Sequence, residues 1–397
     1  MNRRFRPTYK RPTDAYRLFK VFLFCIVCAI FVFIIAFVLI PLIFPSLYES
    51  AHKETASTGE ALPTPKAVHL KTPTPLKAIY MTSWVAGTRN RRNALIRLVD
   101  TTEINAVVID IKDYSGKISF EVSDPKLKEL GASEVRISDI KEFLALLHEK
   151  GIYTIGRVAV FQDPHLMSVR PDLAVKKSSA KEEVWKDYKG ISWIDAGSRE
   201  AWKYAVLIAR ESYSLGFDEI NFDYIRFPSD GNMRDIHYPI SDGREKRQVM
   251  REFFAFLRKA LPQNKPVISA DFFGMTTTNT DDLNIGQVLE DALPYFDYIS
   301  PMVYPSHYPT NFIGIKNPAS KPYEVIKYSL DKAFTRASTT PKKIRPWLQD
   351  FDLGADYTPE MVRSEIQAVY DSGFDSWMLW SPSNTYTEGA LEKSLSD

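Results

Sequence analysis

The stretch Gly216-Phe217-Asp218-Glu219-Ile220-Asn221-Phe222-Asp223-Tyr224-Ile225-Arg226-Phe227-Pro228 reads as a strand that follows a helix-stopping glycine. Alternation puts Glu219, Asn221 and Asp223 on one face and Ile220, Phe222 and Tyr224 on the other. The apolar set suits packing against helices. The polar set then points the opposite way, with Asp223 at the end of the strand. A carboxylate directed into a protein interior is costly unless it is paired or used. Arg226 is the nearest candidate partner for Asp223 in the chain, and catalysis is the competing use.

On either side of this strand the same unit repeats. β-branched or aromatic runs occur at 78–83, 106–111, 153–160, 219–224, 267–272, 298–303, 344–349 and 376–380. Segments with helical spacing lie between them, clearest at 140–150, 199–215, 245–261 and 359–372. Gly151, Gly216 and Gly373 stand where helices stop, since glycine tolerates the left-handed closing conformation. Eight alternations predict an α/β fold of the (β/α)8 TIM-barrel type, with a doubly wound open sheet as the alternative. Connections from helix to strand are short. Those from strand to helix are long at 161–198, 227–243, 273–285 and 304–322, which predicts an elaborated site at the carboxyl ends of the strands.

The strand ends carry the chemistry. Asp271 closes the fifth strand and is expected beside Asp223. Two carboxylates across one cleft are what glycosidic cleavage needs, one to protonate the leaving oxygen and one to attack the sugar or activate water. On the second strand, alternation puts Asp110 and Lys112 on one face, as an ion pair or a contact to a sugar hydroxyl. Arg157 comes from the third strand, Asn221 and Arg226 from the fourth, and Tyr304 and His307 from the sixth, as further substrate contacts. Sugar rings stack on aromatic planes. Trp84, at the end of the first strand, and Trp380, in the eighth, are therefore assigned to the cleft. Trp347 and Trp377 are assigned to the core.

Composition narrows the class. The chain has 397 residues, 45% hydrophobic and 25% charged, as in globular proteins. The first twenty residues hold seven basic side chains and one acid, so the remainder is mildly acidic and a poor nucleic-acid binder. Residues 21–40 are apolar throughout, long enough to cross a bilayer. The expected organisation is a basic cytoplasmic tail at 1–20, a transmembrane signal anchor at 21–44, a Pro/Thr-rich linker at 45–76 and the barrel at 77–397. A cleaved signal peptide is the alternative for the apolar run. The basic flank keeps the amino terminus in the cytoplasm and the barrel extracytoplasmic. Both cysteines, Cys25 and Cys28, lie in the apolar run, so the barrel has no disulfide or thiolate site. The six histidines lack metal-ligand spacing, and no phosphate loop or dinucleotide fingerprint is present, so neither metal nor cofactor is expected.

With these residues in place, the 216–228 run resembles the signature of a bacterial family of glycosyl hydrolase domains, first catalogued as a domain of unknown function. The segments 106–112, 155–161, 269–274, 299–305 and 374–382 are similar to it as well. The resemblance covers roughly 77–395 and implies a glycosidase-type TIM barrel. A more distant likeness is to family 18 chitinases. Asp218, Asn221 and Asp223 follow the rhythm of their fourth strand, and Ile225 stands where they carry a catalytic glutamate. The resemblance therefore implies that Asp223 works with a carboxylate from another strand, for which Asp271 is the choice. The expected function is hydrolysis of a cell-surface or environmental polysaccharide. A non-catalytic carbohydrate-binding tether is the first alternative, and a hydrolase of another bond using an oxygen-liganded metal the second.

Overall fold

The computed structural model describes residues 67–262 and 266–394. The basic tail, the apolar run and most of the expected linker lie outside these residues. Among the described residues, no helix is long and apolar enough to cross a membrane.

Eight parallel strands close into a barrel in sequence order, with the first paired to the last. They are β1 (Lys77–Met81), β2 (Ala106–Lys112), β3 (Tyr153–Ala159), β4 (Glu219–Asp223), β5 (Val267–Phe273), β6 (Tyr298–Met302), β7 (Trp347–Gln349) and β8 (Trp377–Trp380). The principal outer helices are α1 (Arg89–Thr101), α2 (Ile140–Glu149), α3 (Arg199–Leu215), α4 (Lys246–Ala260), the single turn α5 (Leu289–Ala292), α6 (Pro322–Ala337) and α7 (Pro359–Asp371). The closed ring excludes the open-sheet alternative.

Two apolar layers follow from strand alternation. Ile109, Val158, Phe222 and Phe272 face outward onto Phe143 of α2, Trp202 of α3 and Phe253 and Phe254 of α4. Ala78, Tyr80, Val108, Ile155, Trp347 and Met378 face the barrel interior. Gly151, Gly216 and Gly373 all take positive φ after α2, α3 and α7, where a side chain would be strained.

Alternation fails in two places, both near the site. A register shift between Asp110 and Lys112 turns Lys112 outward. There its ammonium meets Asp163 at 2.8 Å and lies 5.9 Å from the Tyr204 ring, so Asp110 and Lys112 do not share a face. Tyr224 has φ of +52°, which ends β4 at Asp223. That turn carries Tyr224 to the mouth rather than to the helix-packing face.

Residues 69–76, expected in the spacer, are tied to the floor of the barrel. Leu70 N–H donates to Asp218 Oδ1 (2.6 Å), the His69 ring stacks on Tyr213 at 3.9 Å, and Thr72 Oγ1 meets Tyr153 Oη at 3.0 Å. Leu76 is fully buried. At the opposite end, residues 381–392 fasten the seam between β8 and β1. Asn384 Oδ1 accepts from Thr82 N–H (2.8 Å), Tyr386 Oη donates to Tyr80 O (2.5 Å), and Glu103 N–H donates to Glu392 O (2.9 Å).

Candidate active site

A cavity of about 510 Å³ opens at the carboxyl ends of the strands. Its walls include Arg157, Asp223, Tyr224, Arg226, Asp271, Phe273, Tyr304, His307 and Trp380. Lys189, from the long loop after β3, also lines it. That volume falls within the range of small-molecule sites.

Arg157 is the hub. Parallel register places it between Asp110 and Asn221 on the neighbouring strands. Its guanidinium donates to Asp110 Oδ1 (2.6 Å) and to Asp223 Oδ2, from Nε at 3.1 Å and also from Nη2. The same Nε is 3.8 Å from Asp271 Oδ2. Asp223 therefore pairs with Arg157 on the adjacent strand, not with Arg226. The Trp380 ring covers the guanidinium at 5.0 Å and stacks on Tyr80 at 3.9 Å. This fixes one aromatic face at the edge of the cavity.

Asp271 sits in a different environment. Its Oδ1 accepts from Asn221 Nδ2 (2.9 Å) and from Trp347 Nε1 (2.7 Å), which leaves Oδ2 for a proton. Complete burial, reinforced by the charge of Asp223, pushes its pKa up to about 8, against the opposing pull of Arg157 and the two donors. A neutral carboxylic acid thus stands beside a carboxylate held by a guanidinium, the division expected of an acid and its partner.

The remaining assignments fall in three places. Arg226, Tyr304, His307 and Trp380 line the cavity. Asp110 and Asn221 lie behind it: Asp110 accepts from Tyr80 Oη (2.5 Å) and Arg157, and Asn221 supports Asp271. Trp84 is a correction. The first strand ends at Met81, and Trp84 falls on the short helix Ser83–Ala86, 59% exposed and away from the cavity lining. One face of its ring is covered by the Arg136 guanidinium at 4.6 Å.

Trp347 is the residue that sequence reasoning missed. It was assigned to the core, and it is buried, but its indole N–H reaches Asp271. The signal available was its place near the end of the seventh strand, because alternate residues of a barrel strand face inward. Gly274 is a further one. A Cβ there would fall 2.4 Å from Met302 O, so only glycine lets β5 and β6 approach at the cavity wall. Asp218, part of the chitinase-like rhythm, is at the floor. It accepts from Leu70 N–H, Thr154 N–H (2.8 Å) and Thr154 Oγ1, and lies 3.0 Å from His148 Nε2.

Comparison with known proteins adds the family. Residues 78–386 match the family model described as "Putative glycosyl hydrolase domain". A hypothetical protein from Ruminiclostridium thermocellum ATCC 27405 is 35% identical over 52% of this chain and 98% of its own, with a TM-score of 0.45. The PgaB (BpsB) glycoside hydrolase domain from Bordetella bronchiseptica is 12% identical, covering 81% of this chain and all of its own, with a TM-score of 0.58. Alpha-L-fucosidase isoenzyme 2 from Paenibacillus thiaminolyticus is 11% identical over 80% of this chain and 48% of its own, with a TM-score of 0.54. At these identities the last two support the barrel fold alone. A search of curated proteins returns no match.

Proposed function

Because the chain belongs to this glycosyl hydrolase domain family, we propose that it cleaves a polysaccharide, with Asp271 as general acid and Asp223 as nucleophile. One observation carries the assignment. Asp271 keeps its proton to about pH 8 while Asp223, in the same cavity, is salt-bridged to Arg157. The Oδ2 proton of Asp271 passes to the glycosidic oxygen as that bond breaks, and Asp223 attacks the anomeric carbon. Water then releases the sugar, with Asp271 acting as base.

The spacing favours retention of configuration. Asp223 Oδ2 and Asp271 Oδ2 lie 3.1 and 3.8 Å from one Arg157 nitrogen. They are therefore no more than about 7 Å apart, at the bottom of the 6.5–9.5 Å that inversion requires. The apolar run at 21–40 and its basic flank support an anchored protein with the barrel outside the cytoplasm.

A second reading, a carbohydrate-binding tether without turnover, is favoured by Ile225. It lies fully buried in the outer core, where the chitinase pattern has its acid. Incubation with a panel of bacterial and plant polysaccharides, followed by a reducing-end assay, separates the two. Wild type is expected to release product, and Asp223→Asn and Asp271→Asn to fall by about a thousandfold or more. Equal release by all three proteins removes the site assignment, and binding without release by wild type selects the tether.

A further inference from the structure

Four of the described arginines are buried, and three of them have carboxylate partners. Arg92 pairs with Asp139, Arg157 with Asp110 and Asp223, and Arg345 with Glu219. Arg226, 8% exposed, makes no ion pair among the described residues, although Asp223, Asp230 and Asp187 act on it from farther off. It lies 4.9 Å from the Trp193 ring, 5.5 Å from Tyr224 and 4.6 Å from Phe273. Nη1 donates to Phe227 O (3.0 Å) and Ser229 Oγ (3.1 Å), whereas Nη2 and Nε have no protein acceptor among the described residues. The guanidinium belongs to the cavity wall.

A buried cation without a counter-charge in contact is costly. Aromatic faces offset part of that cost and leave Nε and Nη2, at the cavity wall, without a protein acceptor among the described residues. Burial accordingly pulls the pKa of Arg226 below its usual value, whereas carboxylate neighbours raise that of Arg157 and Arg345. Lys189 adds a second cation to the same lining. The long β3 loop holds it there through Asp187, which accepts from the backbone N–H of Lys189 and Ile191 and from Trp193 Nε1 (3.0 Å). Its ammonium also has no carboxylate within ion-pair distance among the described residues. The cavity lining itself holds three cations and two carboxylates; Arg157 is already engaged by Asp110 and Asp223, while Asp187 and Asp230 act on Arg226 only from beyond ion-pair distance.

We propose that Arg226 and Lys189 form a subsite for an anionic group on the substrate, so that the preferred glycan is an acidic polysaccharide whose sugar carries a carboxylate or a sulfate or phosphate ester. The inference rests on the glycoside hydrolase reading for the identity of the ligand as a glycan. A planar guanidinium with two free donor positions matches an oxyanion, and Lys189 supplies a mobile second charge.

The test is equilibrium binding by the full chain carrying Asp271→Asn, so that no turnover intervenes. The probes are alginate, polygalacturonate and hyaluronan, each beside its carboxyl-reduced form, together with dextran sulfate beside dextran. At least one acidic polymer is expected to bind tenfold or more tightly than its neutral partner, with the preference weakening in high salt. Preference within the carboxyl-reduced pairs identifies a carboxylate, and preference confined to dextran sulfate an ester. Arg226→Gln should abolish the preference and Arg226→Lys should keep part of it. Lys189→Gln, at an exposed position, should reduce it severalfold even if the Arg226 variants do not fold. Binding of neutral polymers only, binding of none, or an acidic preference unchanged in both Lys189→Gln and a folded Arg226→Gln overturns the proposal. Acidic preference in a protein whose wild type releases no reducing ends keeps the subsite and removes the hydrolase.

Discussion

Two donors hold Asp271 at Oδ1, and burial keeps a proton on the other oxygen up to about pH 8. Activity and stability both depend on this proton. In the general-acid role proposed for it, Asp271 is active only when protonated, so kcat should fall as pH rises through about 8. The Trp347 indole N–H favours the charged form, and Trp347→Phe should therefore move that basic limb upward, by about half a unit or more. Stability carries the same proton with a defined sign. An unfolded aspartate titrates near 4 and the folded one at about 8. Between those values unfolding releases a proton, so this group destabilises the fold increasingly as pH rises. Asp271→Asn should remove that dependence. A melt at pH 7 should show Tm raised by about 2 °C or more, with activity lost in the proposed mechanism, because the buried acid opposes stability at that pH.

At the scale of strands and helices, the eight repeats were legible because each strand is a short β-branched or aromatic run and several helices end at a glycine. The arrangement of the site was less legible. Alternation assumes an unbroken strand, and the irregularity after Asp110 and the left-handed Tyr224 break it on two strands that build the pocket. Trp84 failed for a related reason, since β1 stops at Met81 and the chain turns into a short helix at Ser83. Trp347 was hidden because both faces of a barrel strand are apolar to the eye, one facing helices and the other the cavity floor. The irregular β2 also turns a lysine into a dry layer, where Lys112 is 1% exposed and depends on Asp163. Lys112→Met leaves that carboxylate uncompensated and should cost about 3–5 kcal/mol in urea unfolding. Lys112→Met with Asp163→Asn keeps the hydrogen bond from Leu166 N–H and should recover much of the loss. An additive double variant would argue against the ion pair as the cause.

For the whole molecule, the floor and the seam are made by segments distant in sequence from what they hold. Residues 69–76 supply partners to Asp218 and Tyr153 from outside the strands. A fragment beginning at residue 77 should melt several degrees below one beginning at 67, and equal midpoints would show that the segment only rests on the barrel. The seam has a consequence for how the enzyme is made. β1 is synthesised first, but its second neighbour is β8, and the cap on Thr82 comes from Asn384. Trp380, which shields Arg157, arrives in the same late stretch. A nascent chain therefore carries an unzipped cylinder and an incomplete pocket until β8 has been made.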